Sequence, residues 1–289
     1  MVAPLPARAA LSVVTTTEGL AALAREVGGD RASVESLSRG IQDPHFVDPN
    51  PSLALKLRRA DLLVDEGLDL EIGWLPPLVN QSRNAEIQPG GRRRLTAASV
   101  VTVLEIPTGP VDRSMGDLHP AGNPHFLSDP RRAFQVAKAI AGRLGELDPT
   151  GTAAYQANLT AFSTRLAEAE ARWAAQLAPF KGRPVVTRHR TLTYFLDWAG
   201  LRLAEVLEPK PGIPPTPSHL ADVVAVVKRE GVKAILVENY YDPKSGELVS
   251  RLGGATLVLI PGDVGGTGEA TTYIRYMDEL VRIVTQALR

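Results

Sequence analysis

The sequence predicts an α/β protein of two lobes, each a mostly parallel sheet flanked by helices, joined by one long backbone helix. Three observations carry this expectation. Short β-branched or apolar runs alternate with helical stretches up to about residue 129 and again after Gly182, the alternation that builds parallel sheets. Between these regions lies Thr152 to Leu177, with no Gly or Pro inside it, where Ala153, Leu159, Phe162, Leu166, Ala169 and Trp173 recur at helical spacing. The 289 residues, 44% of them hydrophobic, suffice for two domains of ordinary size. The expected division is an N-terminal lobe over 1–150, a linking helix over 151–180 and a C-terminal lobe over 181–289.

The elements follow in order. Val13 to Thr17 is a β-branched run, and Glu18 to Val27 is a helix closed by Gly28-Gly29. Ala32 to Leu37 reads as a strand, Pro51 to Arg59 as a helix and Ala60 to Val64 as a buried strand. Leu68 to Gln81 reads as helix and Ser99 to Leu104 as a β-rich run. Pro130 to Leu147 is helical, and Thr152 to Leu177 would extend about 39 Å at ~1.5 Å per residue, long enough to run along two lobes. A coiled-coil reading is weaker, because no strict heptad persists. Pro184 to Thr187 is a strand, Leu192 to Ala199 a helix and Leu203 to Leu207 a strand. Pro209 to Pro217 holds five prolines and must be an extended loop. A helix spans Ser218 to Glu230, with Ser218 as its N-cap. Ala234 to Val237 and Ala255 to Ile260 are buried strands, and Thr271 to Leu288 is a closing amphipathic helix.

Composition excludes several classes. Lys+Arg and Asp+Glu are both 32, so the basic excess of a nucleic-acid binder is missing. Arg92-Arg93-Arg94 follows Gly90-Gly91 and reads as a solvated turn. Without cysteine there is no thiolate zinc site, disulfide or Cys nucleophile, so a metal site must use His, Asp, Glu or backbone oxygen. No run of 18 apolar residues exists. The first ten residues lack the apolar segment of an intact signal peptide, although Ala7-Arg8-Ala9 resembles the small-residue end of one. A mature form and a cytosolic tail both fit that segment.

Of the five histidines, His45, His125 and His189 stand in loops or just beyond strands, as does Asp263. Ligands of open α/β sheets bind outside the carboxyl ends of the strands. His45 lies in Asp43-Pro44-His45-Phe46, and His125 in Asn123-Pro124-His125-Phe126. The prolines stiffen the loops that present the rings, so less entropy is lost on binding. Three His and one Asp would satisfy zinc's preference for four ligands in a tetrahedron. Each His taken singly also reads as a hydrogen-bonded surface residue, and the spacing is too wide for a local motif.

At these residues the chain resembles the metal-binding solute-binding proteins of ABC importers, the ZnuA/TroA/PsaA-like family. The resemblance covers almost the whole chain, through Val13-Val14-Thr15-Thr16, Glu26-Val27-Gly28-Gly29-Asp30, Asp43-Pro44-His45, Ala60-Asp61-Leu62-Leu63-Val64, Gly122-Asn123-Pro124-His125-Phe126, Val186-Thr187-Arg188-His189 with Tyr194-Phe195, and Leu236-Val237-Glu238. It implies metal ligands at His45, His125, His189 and Asp263, with Glu238 beside the site. Zinc-binding members tend to have His at the third position and manganese-binding members Glu, so His189 implies Zn2+, with Mn2+ the lesser fit. The implied function is an extracytoplasmic, periplasmic receptor, not an enzyme. It would act as a monomer, capture Zn2+ in the inter-lobe cleft and deliver it to an ABC-importer membrane permease.

The sequence also departs from the family. Many zinc-type members carry a His-rich loop, whereas Gln81 to Ala98 contains no His. His119 reads as a solvated loop His, or alternatively as a transient relay that accepts zinc from a metallochaperone. His219 is expected at the surface. A zinc-dependent hydrolase with a His/Asp site is the alternative function, and it lacks His-Glu-x-x-His. Gly265-Gly266-Thr267-Gly268 lacks the Lys of a phosphate-binding loop and is expected to be flexible and to gate metal release.

Overall fold

The computed structural model describes residues 10–109, 119–210 and 212–289. The signal-like Ala7-Arg8-Ala9 lies outside them. Among the described residues, two four-stranded parallel sheets form, one from each half of the chain. The first contains β1 (Leu11–Thr15), β2 (Ala32–Ser36), β3 (Leu62–Asp65) and β4 (Arg94–Thr96), in the order β2-β1-β3-β4. The second contains β5 (Pro184–Thr187), β6 (Arg202–Val206), β7 (Ala234–Glu238) and β8 (Thr256–Ile260), in the order β6-β5-β7-β8. Both sheets therefore use one topology, although the sequence shows no repeat. Register pairs Val13 with Val34 and Leu62, and Val186 with Ile235.

The helices are α1 (Glu18–Gly28), α2 (Pro51–Arg59), α3 (Leu75–Ser82), α4 (Pro130–Leu147), α5 (Thr152–Leu177), α6 (Thr193–Ala199), α7 (Pro217–Glu230), α8 (Lys244–Gly253) and α9 (Tyr273–Ala287). Thr17 caps α1 by accepting from the Leu20 amide, and Asn50 caps α2, each satisfying an amide that has no partner within its helix. α5 is the expected long helix. It buries Tyr155, Leu159, Phe162, Leu166, Ala169, Trp173 and Leu177 along one stripe.

That stripe belongs to a core that runs through both halves. The same apolar cluster includes Val13 and Leu23 of the first sheet region, Val185 and Leu236 of the second, and Met277, Leu280 and Val284 of α9. Separate clusters cover the other faces: Leu57, Leu63, Trp74 and Leu78 in one lobe, Val186, Val223, Ile235 and Val249 in the other. Each sheet is thus buried on both faces, which explains why its central strands read as continuous apolar runs.

Five local readings change. The helix expected from Leu68 starts at Leu75, because Gly67, Leu68 and Asp69 take positive φ and Pro76 and Pro77 occupy the first turn. The edge strand is Arg94–Thr96 rather than Ser99 to Leu104. Arg94 belongs to that strand and is not a solvated turn residue: its guanidinium forms paired hydrogen bonds of 2.9 and 3.0 Å to the buried Asp65. Thr216, not Ser218, caps α7. α8, which carries Gly246 and Gly253, was not expected. Among the described residues no helix is long and apolar enough to cross a membrane.

Candidate metal centre

The carboxyl ends of both sheets carry the polar residues that the sequence singles out. Two loops repeat one local device. In Asp43-Pro44-His45 the Asp43 Oδ1 accepts from the His45 amide at 3.0 Å, and in Asn123-Pro124-His125 the Asn123 Oδ1 accepts from the His125 amide at 2.9 Å. These Asx turns, stiffened by proline, fix where each imidazole starts. The first loop is also pinned by Trp74, whose indole N–H donates to the Pro44 carbonyl at 2.8 Å.

Asp43 fixes the ring as well as the backbone. Its Oδ1 lies 2.7 Å from His45 Nδ1, so Nδ1 carries the proton and the Nε2 lone pair faces inward, the usual arrangement of a metal-ligating His. Burial alone would raise the Asp43 carboxyl. The hydrogen bond from the His45 ring, with bonds from the His45 amide and Tyr241, holds it below its ordinary value instead.

His125 and His189 are set against each other by Asn123. Its side-chain amide donates to Glu105 and to the Arg190 carbonyl, both at 2.8 Å, and its carbonyl accepts from the Tyr194 hydroxyl at 2.6 Å. Glu105 also accepts from Arg190 and Thr193. The two His-bearing segments are therefore tied across the cleft.

Four imidazoles converge. One donor atom from each of His45, His119 and His125 lies within 4.8 Å of the others, and His45 Nε2 is 3.3 Å from His119 Nε2. His189 stands beside this trio, its ring centroid 5.6 Å from that of His45 and 5.5 Å from that of His125. Burial and the neighbouring imidazoles lower the proton affinity of three rings: His119 to about 4, His189 to about 3, and His125 well below its ordinary value. Near neutral pH these three rings are uncharged, the form that binds metal. His125 Nε2 is buried and has no hydrogen-bond partner among the described residues.

Asp263 stands apart from the compact trio. It is buried and accepts from the Gly19 amide at 3.0 Å and the Val264 amide at 2.7 Å, and burial pushes its carboxyl up to about 7. It shares with His125, Glu66 and Glu238 a cavity of ≈ 70 Å³, but is not in the compact histidine group. Glu238 is buried and accepts from the Thr191 hydroxyl. His219 bonds through Nε2 to the Val206 carbonyl at 2.9 Å, a structural role outside the cleft.

The Gly265–Gly268 segment is not the loose loop expected. Gly265 donates to the Ala270 carbonyl, Gly266 donates to the Asp263 carbonyl, and the Gly266 carbonyl accepts from Asn239. It also packs on Gly40, where a Cβ would stand 2.0 Å from the Val264 carbonyl oxygen.

Sequence reasoning passed over Asp43, Asn123 and Glu105 as working residues. The paired Asp-Pro-His and Asn-Pro-His patterns carried the signal for the first two. Glu105 had none, since its partners Asn123, Arg190 and Thr193 lie eighteen or more positions away.

The chain is similar to known proteins along most of its length. A family model described as "Zinc-uptake complex component A periplasmic" matches residues 13–287. The manganese ABC transporter substrate-binding lipoprotein PsaA of Streptococcus pneumoniae is 27% identical over 246 residues, 83% of this chain and 76% of that protein. The zinc-binding lipoprotein AdcA of Streptococcus pneumoniae (strain ATCC BAA-255 / R6) is 24% identical over 96% of this chain, which spans 55% of AdcA. A crystal structure of ZnuA superposes with a TM-score of 0.79 at 22% identity, covering 97% of this chain and all of that one. A manganese-bound periplasmic metal-binding protein of Candidatus Liberibacter asiaticus gives 0.80 at 18% identity, covering 96% of this chain and 100% of that one.

Proposed function

The chain belongs to the family of the periplasmic component A of zinc-uptake complexes, ZnuA, and on that premise we propose that it captures Zn2+ at the imidazole cluster and delivers it to an ABC-importer permease. The family and fold are those of non-catalytic, extracytoplasmic metal-binding receptors, so the hydrolase alternative gives way. The observation that carries the proposal is the convergence of His45, His119, His125 and His189. Two nitrogens ~2.0–2.1 Å from a tetrahedral zinc stand roughly 3.3–3.4 Å apart, and His45 Nε2 and His119 Nε2 are 3.3 Å apart.

The proposed ligands are His45, His125 and His189, with His119 as the fourth in the conformation described. A set rich in imidazole favours zinc over manganese, whose sites are richer in oxygen. This moves His119 from relay to ligand. A donor protein would meet the cluster at His119, which is only partly buried. Asp263 is the second reading for the fourth ligand. It is favoured by the cavity it shares with His125, and its oxygens, each accepting one backbone amide, keep lone pairs for an ion.

Competition titration of the metal-free chain with Zn2+ and Mn2+ tests the proposal. One zinc per chain, held at least ~100-fold more tightly than manganese, a gap of ~2.7 kcal/mol, is expected. Equal affinities would overturn the zinc assignment, and no binding of either ion would overturn the receptor reading.

A further inference from the structure

We propose that Glu71 is a positioning residue for metal capture: its buried carboxylate clamps the left-handed turn Gly67–Asp69, and that turn sets how His45 and His119 face each other. The inference rests on the receptor reading for the cargo. It adds a residue that acts on the imidazoles only through the backbone of its own loop.

Three consecutive residues, Gly67, Leu68 and Asp69, take φ of 86°, 54° and 64°. Glycine adopts this region freely, whereas the Cβ of Leu or Asp crowds the carbonyl there. Such residues persist where surrounding contacts over-determine them. Here the contacts come from one side chain. Glu71 is 3% exposed and folds back on the turn that it follows. Its Oε1 accepts from the Thr16 hydroxyl at 2.6 Å and the Glu66 amide at 2.8 Å, and its Oε2 accepts from the Gly67 amide at 3.2 Å. The carboxylate therefore joins the loop after β1 to the loop after β3, and it fixes both amides at the entrance to the left-handed run.

Both ends of the segment reach the metal centre. The Leu68 carbonyl accepts from the His119 ring, the kind of backbone support that orients a ligating imidazole. At the other end the Trp74 indole donates to the Pro44 carbonyl at 2.8 Å, one residue before His45. Gly73 lies against the same loop, where a Cβ would stand 3.9 Å from the His45 carbonyl oxygen. One short segment thus supports both rings whose Nε2 atoms are 3.3 Å apart. The dihedrals of Leu68 and Asp69 set the direction of the Leu68 carbonyl. Relaxing them to negative φ would turn that carbonyl away from His119, so the clamp spends backbone strain on preorganisation.

The test separates positioning from plain support of the fold. Zinc affinity of the full chain is measured by competition with a chelator, and ligand geometry by the visible bands of Co2+ bound in place of zinc. Glu71→Gln keeps the oxygen that serves Thr16 and Glu66 but turns an amide donor toward the Gly67 N–H. It is expected to weaken zinc by ~10-fold, the scale of losing a supporting group, and to move the Co2+ bands. Asp69 is exposed, and glycine takes its φ freely, so adding Asp69→Gly to Glu71→Gln is expected to recover about threefold of that loss. Should Glu71→Gln fail to fold, Asp69→Val answers alone: a β-branched residue resists left-handed φ, and zinc affinity is expected to fall several-fold in the folded chain. Wild-type affinity and Co2+ bands in Glu71→Gln, a loss that Asp69→Gly does not recover, or wild-type affinity in folded Asp69→Val each overturns the positioning role and leaves the receptor reading intact. A wild-type chain that binds no zinc removes both.

Discussion

Asp43 offers the sharpest test of how the cluster is held. One oxygen, Oδ1, accepts both the His45 amide at 3.0 Å and the His45 Nδ1 at 2.7 Å. Asp43→Asn can keep that oxygen in place, so it removes the charge but not the geometry. A hydrogen bond to a charged group contributes ~1.5–3 kcal/mol against ~1 for a neutral pair, so the loss is about 1 kcal/mol, or several-fold to tenfold in Kd for zinc. Asp43→Ala removes the turn and the ring support together. Loss of a group that orients a ligand typically costs ~10–100-fold in metal affinity, and the upper half of that range is expected. The assay is zinc competition against a chromophoric chelator at pH 7.5, with the melting temperature measured alongside. Both variants within about twofold of wild type, ~0.4 kcal/mol, would show that Asp43 does not set the His45 tautomer, and the ligand geometry argued from it would fall.

Three further outcomes follow. His119→Ala should reduce zinc affinity by more than the ~10–100-fold of a supporting residue; a variant that binds normally but accepts zinc slowly from a donor protein would restore the relay role. Glu238 titrates at about 7 in the fold against an ordinary 4.5, mainly because it is buried, so the stability it contributes is present below about pH 4.5 and is lost as pH rises through about 7. Glu238→Gln should therefore raise the metal-free melting temperature at pH 8, by up to ~3 kcal/mol of stability, and change little at pH 4.5; an equal effect at both pH values refutes the assignment. Gly40→Ala should cost ~1–3 kcal/mol, the scale of overpacking, because its methyl would meet the Val264 carbonyl oxygen at 2.0 Å; an unchanged melting temperature would mean that this contact yields.

Most of the fold was legible because each sheet is buried on both faces. Val13, Val14, Leu62, Leu63 and Val64 form unbroken apolar runs for that reason, and the helix over Thr152–Leu177 shows its stripe without interruption. The edge strand Arg94–Thr96 was not legible, because what fixes it is an ion pair to Asp65 twenty-nine residues away. The start of α3 was hidden by three consecutive positive-φ residues, two of them non-glycine. The histidines were legible as residue types at strand ends. Which of them meet was not, since loop positions alone do not say whether His119 or Asp263 closes on His45. That depends on where the 119–129 connection lies over the cleft, and Asn123 ties that connection to Glu105 and Arg190 through contacts that no local pattern announces.

The pH behaviour of the cluster follows from the same packing. His119, His125 and His189 sit among other imidazoles and away from water, so in the fold they take protons only well below the ordinary imidazole range, at about 4 and about 3 for His119 and His189. Their folded proton affinity is lower than in the unfolded chain, so the stability linked to them is present above about pH 6.5 and is lost as pH falls toward 4. Protons therefore compete with metal for these three rings later than they would for free imidazole. Protonation of these three rings should therefore remove little zinc affinity between pH 7.5 and about 5.5 and much more below about 5, as unfolding joins it. A steep loss already complete by pH 6, measured by competition titration in buffers of equal ionic strength, would mean that the rings titrate as exposed histidines do. The cluster would then be open to water before metal arrives, rather than preorganised by Asp43 and Asn123.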